Sequence, residues 1–123
     1  MNGLSYAYLG DAVYELEIRE YLISKGYTKI NRLHKEAIRY TNAKAQAGAI
    51  VELLEILSED EVRAFKQGRN SSAKQTKKTA SMMEYKLATG LESLIGNLYM
   101  KRPERMKELV KKIIEIIEVQ HAK

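Results

Sequence analysis

Tyr6-Ala7-Tyr8-Leu9-Gly10-Asp11-Ala12-Val13-Tyr14-Glu15 is the stretch from which the rest of the chain can be read. Placed on a helix, Asp11 has Leu4, Ala7, Tyr8, Tyr14, Glu15 and Ile18 as its neighbours three, four and seven positions away. Most of these are apolar. An ionised carboxylate in such a face is costly unless something pairs with it. A partner for Asp11 is therefore expected, and its identity bears directly on function.

Outward from this stretch the pattern stays helical. Residues 3 to 24 read as one helix, closed by Lys25-Gly26 with the glycine as C-cap. Leu9, Val13 and Leu16 lie on one side and Tyr14, Ile18, Tyr21 and Leu22 on another, which predicts a central helix buried nearly all round. Asn31 is placed to cap a second helix from Arg32. Helical periodicity runs on from 32 to 57, with a break at Tyr40-Thr41-Asn42. Ser58 and Glu61 form a capping box that opens a short helix ending by Gln67-Gly68.

Residues 69 to 80 differ: four basic residues, no acid and little apolar content predict a loop. From Arg63 to Lys86 seven basic residues face one acid, Glu84, so the charge is clustered. Residues 81 to 100 return to helix with Ser81 as N-cap. Gly90 and Gly96 within it cost about 1 kcal/mol each relative to Ala and so imply a close helix contact. Pro103 opens a last helix whose stripe is Met106, Leu109, Val110, Ile113, Ile114 and Ile117.

The chain of 123 residues is expected to form a single domain, residues 1–123, of the all-α class. It is 45% hydrophobic and 30% charged and contains one Pro. The absence of Cys excludes disulfide scaffolds and thiolate metal sites. No leader or long uncharged apolar run is present, so a cytoplasmic protein is expected. A net charge of +5 and a pI near 9.3 agree with a nucleic-acid partner without demanding one.

The first and fifth helices share a design: apolar, glycine-containing, with an acid among apolar neighbours. Around Glu92 these are Ala88, Thr89, Ile95, Gly96 and Tyr99. If the two helices pack together, Asp11 and Glu92 converge, and two carboxylates at a wet cleft suit Mg2+ or Mn2+. The plainer alternative, open on patterning alone, is that each acid sits at the edge of its apolar face and points to solvent.

Tyr8-Leu9-Gly10-Asp11-Ala12-Val13 with Glu15 resembles the signature helix of the ribonuclease III catalytic domain, and Gly90 to Tyr99 resembles that family's second motif. The likeness is closest to its Mini-ribonuclease III branch. It extends to Ala43-Lys44-Ala45-Gln46-Ala47, to Gly68-Arg69-Asn70 and to Glu84 through Gly90, and covers nearly the whole chain. That branch lacks the separate double-stranded-RNA-binding domain, for which a chain of this length has no room. Two acids of the wider family are replaced, one by Ala7 and one by Thr89.

The resemblance implies a ribonuclease III endonuclease fold assembled as a helical homodimer, with Tyr8 inserting into the partner at a two-fold interface. It implies Asp11 and Glu92 as catalytic metal ligands, with Mg2+ (or Mn2+) activating water for phosphodiester hydrolysis. The substrate it implies is double-stranded RNA, with the stem flanking 23S ribosomal RNA as the natural target. Arg69, Asn70, Lys74, Lys77, Lys78, Lys86 and Lys44 are the residues expected to contact RNA, since duplex RNA is read through phosphates and 2′-hydroxyls. A ribosomal protein helper stays open as a further partner. His34 is read as a surface residue, His121 as part of a frayed tail, and Lys101, Arg102 and Arg105 as a basic helix face. Two rivals remain, a non-catalytic double-stranded-RNA-binding dimer and a helical adaptor for an acidic protein.

Overall fold

The computed structural model describes residues 1–71 and 81–122. These residues form six helices and no strand: α1 (Gly3–Ser24), α2 (Ile30–Thr41), α3 (Ala43–Leu53) with a 3-10 turn (Leu54–Ile56), α4 (Glu59–Ser71), α5 (Met82–Lys101) and α6 (Pro103–Ala122). The all-α class expected from periodicity is the observed one.

Local sequence sets most boundaries. Asn2 Oδ1 accepts from Ser5 N at 2.8 Å to start α1. The helix stops where Gly26 takes a φ of +100°, a conformation that favours glycine. Asn42 works on two helices at once: its Nδ2 donates to Ile38 O at the end of α2, and its Oδ1 accepts from Ala45 N at the start of α3, each at 2.8 Å. Capping boxes open α4 (Ser58 with Glu61) and α5 (Ser81 with Glu84).

α5 is the central element, packed against α1, α3, α4 and α6, most extensively against α1. Leu91, Leu94, Ile95 and Leu98 of α5 meet Val13, Tyr14 and Ile18 of α1, Phe65 of α4, Ile50 and Leu53 of α3 and the apolar stripe of α6 in one core. The Tyr14 hydroxyl, buried in it, donates to Tyr40 O at 2.7 Å and so joins α1 to α2. At one end Arg105 donates to both Glu61 oxygens, at 2.8 and 3.0 Å, and to Ile56 O at 3.1 Å.

Five expectations need correction. α2 begins at Ile30 behind Lys29, so Asn31 lies in its first turn and does not cap it. α4 runs past Gly68 to Ser71 because that glycine serves packing rather than capping. A Cβ there would stand 2.2 Å from Ser93 Cβ and 3.0 Å from Thr89 O, so α4 and α5 approach closely only with glycine. α1 is buried on one side only: Tyr8 is 85% and Leu16 55% exposed, aligned with exposed Leu4 and Ala12. Arg105 is turned inward onto Glu61 and leaves the basic helix face to Lys101 and Arg102. His121, expected in a frayed tail, is held in α6 with Nδ1 3.4 Å from Arg39 Nη2.

Candidate active site

The crossing of α1 and α5 brings Asp11 and Glu92 together. At the crossing the backbones touch: a Cβ on Gly10 would lie 1.7 Å from Glu92 O, and one on Gly96 would lie 2.0 Å from Tyr6 O. Glycine at both positions lets the two helices approach far closer than ordinary side chains allow. Asp11 directly follows Gly10, and Glu92 lies one turn before Gly96. The acids are therefore delivered to the same place by the contact their neighbouring glycines permit.

Asp11 is exposed and Glu92 half-buried, and their carboxyls lie within hydrogen-bonding reach of each other. Such a contact needs a proton. Burial, then the Asp11 charge and the hydrogen bond to Asp11, push the Glu92 carboxyl up to about 9, against the opposing effect of the Gln46 amide nearby. No ion pair involves Asp11 or Glu92 among the described residues. Two acids facing each other, with no ion pair among the described residues, form an acidic site open to water on the Asp11 side. Among the described residues no group of three or more His, Cys, Asp or Glu could hold a metal ion. The donor set fits a hard cation that keeps most of its waters and uses one or two carboxylates, which is the habit of Mg2+.

The positions where the resemblance lacks acids are filled otherwise. Ala7 and Thr89 are both 7% exposed, and the Thr89 hydroxyl donates to Tyr85 O at 2.9 Å within its own helix. Neither adds negative charge. Sequence reasoning missed Gln46. It is a long polar side chain, 2% exposed, on a helix whose other buried residues are Ala, Ile and Leu. That contrast with its neighbours was the available signal.

The RNA-contact candidates are scattered on the surface. Lys44 is exposed on the first turn of α3 and Lys86 on α5. Arg69 and Asn70 sit in the last turn of α4 rather than in a loop, with the Arg69 guanidinium over the Phe65 ring at 5.5 Å and its Nε donating to Asn70 Oδ1. Lys74, Lys77 and Lys78 lie outside the described residues. Tyr8 projects into solvent one turn before Asp11. His34 is exposed, as expected.

Comparison with known proteins gives concordant matches. The family model described as Ribonuclease III domain matches residues 4–103. The Mini-ribonuclease 3 of Clostridium tetani is 45% identical over 120 residues, covering 96% of this chain and 80% of that protein. The Mini-ribonuclease 3 of Acholeplasma laidlawii is 49% identical over 112 residues, covering 89% of each. An X-ray crystal structure of a Fusobacterium nucleatum protein superposes with a TM-score of 0.84 at 36% identity, covering 94% of this chain and 93% of that one.

Proposed function

We propose, from the premise that this chain belongs to the Mini-ribonuclease III branch of the ribonuclease III family and is an endoribonuclease, that it cleaves double-stranded RNA by metal-assisted hydrolysis at Asp11 and Glu92. The observation that carries the site assignment is the convergence of these two acids at the Gly10–Gly96 crossing, with no ion pair to either among the described residues.

A divalent cation, when bound, supplies Lewis acidity: it lowers the pKa of water and stabilises charge on phosphate and leaving oxygens. The chain's own residues do the rest. Asp11 and Glu92 would hold the cation, and Glu92 would then have to give up the proton that burial and Asp11 otherwise keep on it. Two protein carboxylates leave most coordination positions to water and substrate oxygens, so cleavage depends on RNA being seated in the site. Lys44, Lys86, Arg69, Asn70 and the lysines at 74, 77 and 78 hold that RNA through its backbone.

Cleaving both strands of a duplex calls for two such sites. The exposed stripe of Leu4, Tyr8 and Leu16 on α1 supports a homodimer that joins two protomers with their active sites facing one duplex. The natural substrate in this reading is the stem flanking 23S ribosomal RNA, processed in the cytoplasm.

A labelled RNA duplex incubated with the protein and Mg2+, beside Asp11→Asn, tests the reading. Cleavage by the wild type alone supports it. Binding by both proteins without cleavage replaces it with a non-catalytic RNA-binding dimer, and absence of binding removes RNA as the partner.

A further inference from the structure

The side of α5 turned toward α4 carries a row of polar residues. Thr89, Ser93, Asn97 and Lys101 follow one another four positions apart and so share one face of the helix. At the inner end of this row the two helices touch: Gly68 makes room for Ser93, whose Oγ donates to Ala64 O at 3.2 Å. Toward the end of α5 the row emerges, with Ser93 fully buried, Asn97 half-buried and Lys101 exposed. There α4 and α5 border a cleft of about 720 Å3, open to solvent, with Ala64 and Leu98 as its apolar lining. Lys66, Gln67 and Asn70 line it from α4, and Asn97 and Lys101 line it from α5.

The charges of the cleft do not cancel. Its two acids are both engaged, Asp60 by Arg63 at 2.6 Å, and Glu61 by Arg105 at 2.8 Å and Arg102 at 3.9 Å. Lys66 and Lys101 take part in no ion pair among the described residues. Lys101 Nζ stands over the Tyr6 ring, 5.9 Å from its centroid, a contact that places the ammonium without neutralising it. The Asn97 side chain has no hydrogen-bond partner among the described residues. Asparagine is a poor residue for a helix interior, and here its two N–H donors are unspent at the wall of a cleft.

Unpaired ammonium groups on opposing walls, with amide donors between them, describe a site for an oxyanion. Phosphate fits the set, because its oxygens accept from ammonium, guanidinium and amide N–H alike. Among the described residues no aromatic side chain lines the cleft, so nothing there stacks a base. Recognition is by phosphate and not by nucleobase. The cleft is also larger than a single phosphate ion fills, and a stretch of nucleic-acid backbone has the length to occupy it.

We propose that this cleft is a second phosphate-binding site, at which Lys66, Lys101 and Asn97 hold RNA backbone outside the cleavage site. The proposal rests on the reading of RNA as substrate given above. Asn97 lies five positions beyond Glu92 and so on another face of α5, and the cleft includes neither Asp11 nor Glu92. RNA held there is not the RNA being cut. The site adds affinity for substrates long enough to reach both places and leaves the chemistry at the two acids unchanged.

The test measures binding of a long RNA duplex to the whole chain in metal-free buffer, by fluorescence anisotropy across a salt series. Lys66→Gln with Lys101→Gln is compared with Lys111→Gln with Lys112→Gln, which removes the same charge from the exposed side of α6. The cleft pair is expected to lower the slope of log K against log salt by roughly 1–2, with helix content unchanged by circular dichroism. The α6 pair is expected to leave the slope near that of the wild type. An equal fall for both pairs means that overall charge alone is felt, and overturns the proposal. RNA bound with an unchanged slope for the cleft pair removes this site and leaves the ribonuclease reading standing. A wild type that binds no RNA ends both.

A second measurement separates backbone phosphate from a free ion. In the 15N-labelled protein, duplex RNA is expected to shift the Asn97 side-chain amide resonances, and the Lys66 and Lys101 replacements to reduce that shift. A shift with inorganic phosphate and none with RNA assigns the cleft to a small anion and overturns the proposal.

Discussion

Gly10 and Gly96 meet backbone to backbone where α1 crosses α5. A Cβ on Gly10 would stand 2.8 Å from Gly96 N, and one on Gly96 would stand 3.0 Å from Gly10 N, with carbonyl oxygens nearer still. The same contact closes the core and brings Asp11 beside Glu92, so stability and site geometry depend on it together.

Gly96→Ala is accordingly expected to be far worse than a helix-propensity scale suggests. Propensity alone favours Ala by about 1 kcal/mol. The clash with Tyr6 O forces the helices apart, and overpacking of this kind costs about 3 kcal/mol or more. Urea denaturation reads the outcome, and a midpoint at or above that of the wild type would show that the helices can separate freely.

Removing a carboxylate from the site should inactivate and stabilise at once. The Glu92 carboxyl is pushed up to about 9 by burial and by Asp11. A raised carboxyl favours the folded state least when ionised, so its contribution is full below about 4.5 and declines as pH rises toward 9. Metal-free Glu92→Gln is expected to melt above the wild type at pH 8, with the difference shrinking at pH 5. Equal melting temperatures at pH 8 would show that the pair carries no strain.

The Arg105–Glu61 pair predicts the opposite pH response. The Arg105 hydrogen bonds hold Glu61 below the usual carboxylate range, despite its burial, with help from Ser58 N–H. A lowered carboxyl contributes stability above about 4.5 that is lost as pH falls through its folded value. Arg105→Met leaves a carboxylate that is 3% exposed with Arg102, at 3.9 Å, as its remaining ion-pair partner among the described residues, and should cost about 3 kcal/mol at pH 7. Its deficit should narrow in acid. A double-mutant cycle with Glu61→Gln isolates the pair.

RNA contacts should be legible in salt dependence. Each phosphate contact removed lowers the slope of log K against log salt by roughly 0.7–0.9. Lys44→Ala with Lys86→Ala, and separately Lys77→Ala with Lys78→Ala, are expected to lower it by about 1–2 per pair while the fold survives. A slope that does not move removes that pair from the interface.

Tyr8 tests the assembly. At 85% exposure, its replacement by Glu costs the protomer little. Sedimentation should show a dimer for the wild type and a monomer for Tyr8→Glu, with cleavage lost in the variant. A variant that stays dimeric would move the interface elsewhere.

The helices were legible because their signals are local. Ser58 with Glu61, Ser81 with Glu84, Asn42, Gly26 and Pro103 act on backbone groups within a few residues of themselves. Two of the misreadings share one cause. Gly68 has the sequence appearance of a helix stop and serves as a packing surface for Ser93. Arg105 looks like one of a basic cluster and is drawn in by Glu61 of another helix. Neither partner is near in sequence.

By itself the sequence determined that the chain is helical, where most helices start, which family it belongs to and which two acids to watch, because these rest on neighbouring residues and on motifs kept in order. Tertiary structure alone decided that Asp11 and Glu92 meet, 81 positions apart, and that Gln46 is buried. It also decided that only one side of α1 is covered. Each of these depends on how closely two helices cross, and that distance is set by glycines whose partners no local pattern names.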